Sequence, residues 1–380
     1  DIGATYRVRG GLALIGGFAG GETSEDGRDP ATHRVLLNGD IDRNDDPAVK
    51  ASYFENTTHL VTVVDPTGDV LIDGLALSGG RAERTVTTTR ASGGGILCES
   101  GSLTVRNCSF EGSWSSYGGS AIYSGGPLRL ERCRFRDENN ADGGAVDAVG
   151  PLECVRCDFL ACRGWEGSAL RLGALANGFH RVVNCRFLGC QGIWGTVATR
   201  GPIRMFNSVV SGNHGTIVGG IYMTGSYLGP QSRALNCTIS NNTSTDGMTA
   251  GIDMRTIDDS YLSGCIVWGN AVAGRPRDLL AQMNFGSGMI ARNSCVEGWG
   301  TAAPGSGMIA VDPRLSHLTG ADGATATSGE VATLEWNSPC IDAGHIAPGP
   351  DYFDLDGDGP PPCPGGDRGR RADGVRPRSR

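Results

Sequence analysis

The segments LTVRNCSF (103–110), LRLERCRF (128–135) and LECVRCDF (152–159) share one pattern, which recurs along most of this chain. Each has alternating apolar residues, then Asn or a substitute, then Cys, and ends on an apolar residue two positions later. Further copies are RVVNCRF (181–187), IRMFNSVV (203–210), RALNCTI (233–239), YLSGCIV (261–267) and ARNSCV (291–296), with a Cys-free copy, VLIDGLAL, at 70–77. A recurring unit of this kind indicates a solenoid, in which each copy packs against the next.

The spacing and composition of the copies favour β-structure. The copies end at Leu77, Phe110, Phe135, Phe159, Phe187, Val210, Ile239, Val267 and Val296. This spacing of roughly 23–33 residues suits one solenoid turn, and the leucine and asparagine frame of leucine-rich repeats is missing. Apolar residues alternate with period two, and the 61 glycines among 380 residues disfavour helices. We therefore predict an all-β, right-handed, single-stranded parallel β-helix of about nine or ten rungs, with two or three strands per rung.

The repeat also predicts what fills the interior. Like residues one rung apart should stack at about 4.8 Å. One ladder would hold Phe110, Phe135, Phe159 and Phe187. A second would hold Cys108, Cys133, Cys157, Cys185, Cys237 and Cys265, with Ser208 in the gap and Leu75 at the equivalent earlier place.

Most of the 13 cysteines should therefore be buried free thiols. Disulfides between rungs and a zinc site at pairs such as Cys154/Cys157 remain alternatives. Cys162 and Cys190 share one rung offset and form the best disulfide candidate. The sequence leaves the states of Cys340 and Cys363 open.

Other motifs carry a resemblance to known proteins. GGGI (93–96), GSAI (119–122), GGAV (143–146) and GSAL (167–170) alternate with the copies above, and Asn213 and Asn270 lie three residues after the ends of two copies. At the equivalent place, earlier copies have Ser113, Glu138, Cys162 and Cys190. This alternation resembles the repeats of bacterial polymorphic outer-membrane proteins and the wider right-handed β-helix repeat proteins.

The flanking segments extend that resemblance. GLALIGGFAGGETSEDGRDP (11–30) is similar to the opening of large secreted β-helix proteins of environmental bacteria, and NSPCIDAG (337–344) to their closing segment. The resemblance implies a bacterial protein that is secreted or on the cell surface. Because the chain opens at Asp1 on a strand-like segment, we expect that an export signal has been lost with a truncated N-terminus.

We predict four segments along the chain. Residues 1–90 would form N-terminal rungs with longer loops, 91–300 the regular core, and 301–359 a closing segment. Residues 360–380, rich in Pro, Gly and Arg, are predicted to be a disordered tail.

Two acidic stretches are candidate calcium sites. Asp354, Asp356 and Asp358 alternate with other residues in DLDGDG, and hard calcium ions prefer such oxygen clusters. Asp40, Asp42, Asp45 and Asp46 form a second acidic cluster on a loop. A solvated acidic turn is the alternative at both places. Calcium is the only cofactor that the sequence suggests.

Two tryptophans are candidate carbohydrate contacts. Trp165 and Trp194 fall in comparable turns of successive rungs, where they would stack sugars on one face. Packing beneath a turn loop explains them equally well.

No convincing catalytic site emerges from the residues. Asp258-Asp259 and Asn213-His214-Gly215 superficially resemble parts of an inverting hydrolase but lack the accompanying residues. The net charge of −8 disfavours nucleic-acid binding, and no apolar run is long enough for a transmembrane helix. We expect a monomer that binds a polysaccharide or a cell-surface ligand. The function predicted is a non-catalytic adhesion or glycan-binding scaffold, with a lyase or glycoside hydrolase acting on acidic polysaccharide as the alternative.

Overall fold

The protein coils as a stack of rungs, each built from short strands that pair in parallel with the rungs above and below. This computed structural model describes residues 2–46, 54–64, 67–83, 91–224, 232–254, 260–286, 288–301, 303, 305–316, 333–335 and 337–341. Three parallel sheets contain ten strands each, and a fourth contains eight. The predicted β-helix of about ten rungs is confirmed, but a regular rung has four strands rather than two or three.

The strands of the four sheets follow one another along the chain in the order A, B, C, D. Sheet A contains Tyr6–Arg9, Val61–Val64, Ile96–Cys98, Ile122–Ser124, Val146–Ala148, Leu170–Leu172, Val197–Thr199, Ile221–Met223, Ile252–Met254 and Met283–Phe285. Sheet B contains Ala13–Ile15, Asp69–Asp73, Ser102–Arg106, Leu128–Glu131, Leu152–Val155, His180–Val183, Ile203–Phe206, Arg233–Leu235, Tyr261–Ser263 and Ile290–Arg292.

The other two sheets complete the rungs. Sheet C contains Val35–Asn38, Leu75–Ser78, Ser109–Glu111, Arg134–Arg136, Asp158–Leu160, Arg186–Leu188, Val209–Ser211, Thr238–Ser240, Ile266–Trp268 and Cys295–Val296. Sheet D contains Arg81–Ala82, Trp114–Ser115, Asn139–Asn140, Arg163–Glu166, Gln191–Trp194, His214–Val218, Thr243–Ser244 and Ala271–Val272. A 3₁₀ turn (Glu25–Gly27), a short helix (Leu279–Gln282) and an antiparallel pair (Leu315–Ser316 with Thr333–Leu334) are the remaining elements described.

Two single-residue corners explain the motif around the cysteines. Between sheets B and C the chain turns through one residue with positive φ: Gly74, Asn107, Arg132, Arg156, Asn184, Asn207, Asn236, Gly264 or Asn293. Between sheets C and D it does so again, at Gly79, Gly112, Asp137, Ala161, Gly189, Gly212, Asn241 or Gly269. Asn and Gly tolerate this left-handed conformation best, which accounts for the residue before four of the six ladder cysteines. Arg132 and Arg156 adopt it before the other two.

The phenylalanine ladder is confirmed. The rings of Phe110, Phe135, Phe159 and Phe187 are fully buried and stack with centroids 4.6–4.9 Å apart and planes within 9° of parallel. The in-register pairing of sheet C places each ring directly over the next. The stack therefore forms a continuous apolar column inside the rungs.

The cysteine ladder is confirmed as well, and hydrogen bonds from backbone N–H groups to sulfur atoms link several of its rungs. The backbone N–H groups of Cys133 and Cys157 lie 3.4 and 3.5 Å from the Sγ atoms of Cys157 and Cys185. Cys185 donates its N–H to Oγ of Ser208 at 3.1 Å. Ser208 therefore replaces a thiol in the ladder without leaving that N–H unpaired.

A second polar ladder follows the corner after sheet C. Nδ2 of Asn213 donates to Oδ1 of Asn242, Nδ2 of Asn242 donates to Oδ1 of Asn270, and Asn270 donates to Oε1 of Gln282. Ser113, Glu138, Cys162 and Cys190 occupy the same place in earlier rungs and are fully buried. The residues that replace the motif's Asn are thus the continuation of one ladder.

The opening segment is tied to the first rungs by an ion-pair network. Arg28 and Arg106 both bind the carboxylate of buried Asp73, and Asn107 donates to the same carboxylate at 2.8 Å. Arg28 also donates to the carbonyl of Gly16 at 3.2 Å. This network explains the Arg of the opening motif as a structural residue.

Candidate functional site

The outer face of sheet A carries a group of interacting polar and aromatic side chains outside the core. In the three-residue strands of sheet A, the first and last side chains point inward and the middle one points outward. The middle residues form one column in register, in the order Leu97, Tyr123, Asp147, Arg171, Ala198, Tyr222 and Asp253. We call this column, together with the outward side chains of the adjoining sheet D strands and of the turns between sheets D and A, the sheet A face.

An arginine with two carboxylates occupies the middle of the sheet A face. Nη2 of Arg171 binds Oδ2 of Asp147, and Nη1 lies 3.2 Å from Oδ2 of Asp142. Asp147 is almost fully buried, and the guanidinium lies 5.4 Å from the ring of Tyr117. Burial disfavours the charged form of Arg171, but Asp147 outweighs it, so the pKa of Arg171 rises above its ordinary value. Arg171 is therefore a permanent cation at this place.

A glycine lets this pair lie against the backbone. A Cβ atom at Gly118 would lie 2.4 Å from Oδ2 of Asp147 and 3.2 Å from Nη2 of Arg171. The turn that carries Tyr117 can therefore cross the ion pair at van der Waals distance only with glycine at this position.

A second ion pair lies one turn along the face. Arg200 donates to both carboxylate oxygens of Glu166, at 3.2 and 2.7 Å. Trp165 precedes Glu166 directly and is 53% exposed. The exposed indole and the carboxylate of this ion pair are thus carried by neighbouring residues of one strand.

The two tryptophans predicted to stack sugars lie on adjacent strands of sheet D, but not opposite each other. The register places Trp194 beside Glu166, with an irregularity in the next pairing. The Trp194 ring is partly buried and packs against Tyr222, with centroids 5.0 Å apart and an angle of 36°. Sugar stacking on Trp165 and Trp194 stays a prediction, and Trp165 is the more accessible of the two.

Sequence reasoning missed most of this face. Tyr117, Asp142, Asp147 and Arg171 have no repeated counterpart, since outward positions of a solenoid are free to vary. The available signal was the residue directly after GGAV and GSAL. The last residue of each motif, Val146 or Leu170, begins a sheet A strand and points inward, so the next residue, Asp147 or Arg171, must point outward.

The acidic loop near the N-terminus forms a group of carboxylates that differs from the predicted one. Asp40 and Asp45 lie together, but the third member is Glu55 rather than Asp42 or Asp46. One ligand oxygen of each lies within 4.8 Å of the others. The other predicted calcium site, Asp354, Asp356 and Asp358, lies outside the described residues.

The cysteines that the structure describes are free thiols. Cys162 and Cys190 stack as the sequence suggested, but both are free and buried, so the structure contradicts a disulfide between them. Each donates to the carbonyl two residues earlier, that of Leu160 or Leu188, at 3.6 Å. Cys340 is half-buried and free, and lines a cavity with Cys295. Cys363 lies outside the described residues.

The remaining weak catalytic candidates have structural explanations where they can be described. Asn213 belongs to the buried asparagine ladder, and His214 binds the hydroxyl of Thr243 at 2.9 Å. His180 is buried in sheet B, where Nδ1 accepts from the N–H of Leu152 and Nε2 donates to the carbonyl of Gly173. Asp258 and Asp259 lie outside the described residues.

Comparison with known proteins agrees with this architecture. A family model described as "Right handed beta helix region" matches residues 41–227. This chain contains a right-handed β-helix. No curated protein and no solved structure matches it. Among its described residues, no helix has the length and apolarity needed to cross a membrane.

Proposed function

We propose that this β-helix is a secreted or cell-surface scaffold that binds glycans on its sheet A face without cleaving them. The observation that carries the proposal is the exposed Trp165, which is next in sequence to Glu166, the partner of Arg200. Sugar rings stack on exposed aromatic faces, while their hydroxyl groups bond to planar charged groups fixed nearby. Tyr117 over Arg171 repeats this combination on the same face.

The charges of the face favour binding over cleavage. A lyase needs a base that loses its proton near neutral pH, and Arg171 is held as a cation by Asp147. Asp142 and Asp147 each bind the same guanidinium through Oδ2, so Arg171 takes one oxygen of each carboxylate. Hydrolysis by a pair of carboxylates would need one of them to hold a proton for the leaving group.

The cysteines are compatible with export. Burial raises the pKa of the thiols of Cys157, Cys162 and Cys237. A buried thiol that stays protonated reacts slowly with oxidants and disulfides. The resemblance of the flanking segments to large secreted β-helix proteins supports the same location, which fractionation of producing cells would test.

The test is retention on a panel of immobilised acidic and neutral polysaccharides, with reducing ends and unsaturated products measured in parallel. We expect retention of the full chain by at least one polysaccharide and no product release. Trp165→Ala should weaken retention roughly tenfold, which corresponds to about 1.4 kcal/mol. Trp268→Ala is the matched control, because that indole lies in sheet C. Product release would favour the lyase or hydrolase alternative, and equal retention of both variants would place binding elsewhere.

A further inference from the structure

The carboxylates of Asp40, Asp45 and Glu55 meet beside the N-terminal rungs. Asp40 and Asp45 lie on the loop after strand Val35–Asn38, and Glu55 lies ahead of strand Val61–Val64. One oxygen from each lies within 4.8 Å of the other two. Calcium binds oxygens at about 2.3–2.6 Å, so oxygens that share one ion lie at most about 5 Å apart. The spacing therefore fits a single cation.

Unpartnered oxygens point to a missing ligand. Oδ1 of Asp45, Oε1 of Glu55 and Oδ1 of Asn56 are buried and have no hydrogen-bond partner. Asn56 is 3% exposed, and its Nδ2 reaches this cluster by donating to Oδ2 of Asp45 at 2.9 Å. The same Nδ2 donates to the carbonyl of Gly79 at 2.9 Å, which fixes the other end of the amide as oxygen. Buried oxygens are rarely left without a partner, because each costs about 1–3 kcal/mol.

The local charges leave the cluster short of positive charge. Three carboxylates lie together here, those of Asp40, Asp45 and Glu55. The Arg81 guanidinium is bound by Glu83 and lies between the rings of Phe54 and Trp114, at 4.7 and 4.8 Å. Among the described residues, Arg81 therefore forms its ion pair with Glu83 and not with these three carboxylates.

We propose that Asp40, Asp45, Glu55 and the side-chain oxygen of Asn56 bind one calcium ion. The donors are all oxygens, and three are carboxylates, which suits a hard divalent cation rather than zinc. The ion would join the loop after the first sheet C strand to the segment that leads into the second sheet A strand. Calcium binding would thus fasten the N-terminal rungs, a role separate from glycan binding on the sheet A face.

The test is calorimetric titration of the full chain, stripped of metal, with calcium chloride. The protein should carry Asp354→Asn, Asp356→Asn and Asp358→Asn, so that the other predicted calcium site does not contribute. We expect one calcium ion per chain. Asp45→Asn in this background should weaken binding by roughly tenfold or more. Asp42→Asn is the matched control: it removes the same charge from the same loop, outside the cluster, and should bind calcium unchanged.

Three results would overturn the proposal: no calcium binding, magnesium binding of equal affinity, or equal binding by Asp45→Asn and Asp42→Asn. Far-UV circular dichroism establishes that the variants are folded, and Glu55→Gln serves if Asp45→Asn is not. A measurement without variants adds a second test. Calcium should slow amide hydrogen exchange in residues 40–46 and 54–57, and exchange unchanged there by calcium would contradict the proposed ligands.

Discussion

Asn213 and Asn242 are joined by two hydrogen bonds across one rung: Nδ2 and the backbone N–H of Asn213 both donate to Oδ1 of Asn242, at 2.8 and 3.1 Å. Asn242 forms the same two bonds with Asn270. The side-chain N–H of each Asn also reaches back to a carbonyl of the preceding rung, that of Phe187 or Val210. One amide per rung therefore satisfies the backbone at a corner that no strand pairing covers.

Asn242→Ala should destabilise the protein strongly. The substitution leaves the backbone N–H of Asn213 and one of its two Nδ2 hydrogens without an acceptor in a buried place, and each unpaired group costs about 1–3 kcal/mol. The free energy of unfolding, measured with denaturant, should fall by roughly 2–5 kcal/mol. Asn139→Ala is the control, since Asn139 is exposed on sheet D. This substitution should change the free energy of unfolding by less than about 0.5 kcal/mol. Equal losses in the two variants would contradict the ladder.

Glu138 should make stability depend on pH. Burial raises the pKa of this carboxyl to about 8 from an ordinary value of 4.5, although Ser120 and the Ser113 N–H oppose it. The folded state therefore holds a proton that the unfolded chain loses above pH 4.5. Stability is greatest below that pH and falls by about 1.4 kcal/mol per pH unit until the folded carboxyl ionises near pH 8.

Replacing the carboxyl with an amide should remove this dependence. Glu138→Gln should remove most of the loss of unfolding free energy between pH 5 and 8, which otherwise amounts to roughly 4 kcal/mol. Glu111→Gln, on the exposed side of sheet C, should leave the wild-type slope. A wild-type profile that is flat over this range would show that Glu138 ionises normally.

Ala161→Gly should stabilise the protein. Ala161 has a φ of 53° at the corner between sheets C and D, where most other rungs have glycine. Removing Cβ relieves about 1 kcal/mol of backbone strain, less the entropy that glycine gains in the unfolded chain. Ala141→Gly is the control because Ala141 is exposed and has no positive φ. There is no backbone strain to relieve there, so this variant should be less stable than the wild type. The unfolding midpoints of the two variants should move in opposite directions.

The interior of this fold could be read from the sequence, but the corners and the outer surface could not. Phe135 and Phe159 repeat because each must fit the ring beneath it, so their ladder is visible as a pattern. Strands of two residues, such as Trp114–Ser115, are too short to show alternation, which is why a rung of four strands was not foreseen.

The candidate sites show the same division. Asp147 and Arg171 pair across a rung, but neither packs on an identical neighbour, so no repeat records the contact. The acidic loop was recognised by its density of aspartates, yet the third carboxylate belongs to Glu55, ten residues beyond Asp45 in the sequence. A repeat in the sequence reveals the positions that stacking between rungs constrains. These contacts depend instead on the conformation of loops, which leaves no repeat.

The ladder thiols should be inert in the native protein. In a Cys340→Ser, Cys363→Ser background, the remaining eleven cysteines are buried and free. We expect almost no reaction with a thiol reagent in native buffer and reaction of all eleven in denaturant. Fast native reaction would contradict their burial.

The most direct test of glycan binding on the sheet A face is hydroxyl-radical footprinting of the full chain with and without a retained polysaccharide. We predict protection of Trp165 and Tyr117, both exposed in the free protein, and no change at Trp268 on sheet C. Protection at Trp268, or protection nowhere, would contradict the proposal that this face is the binding surface.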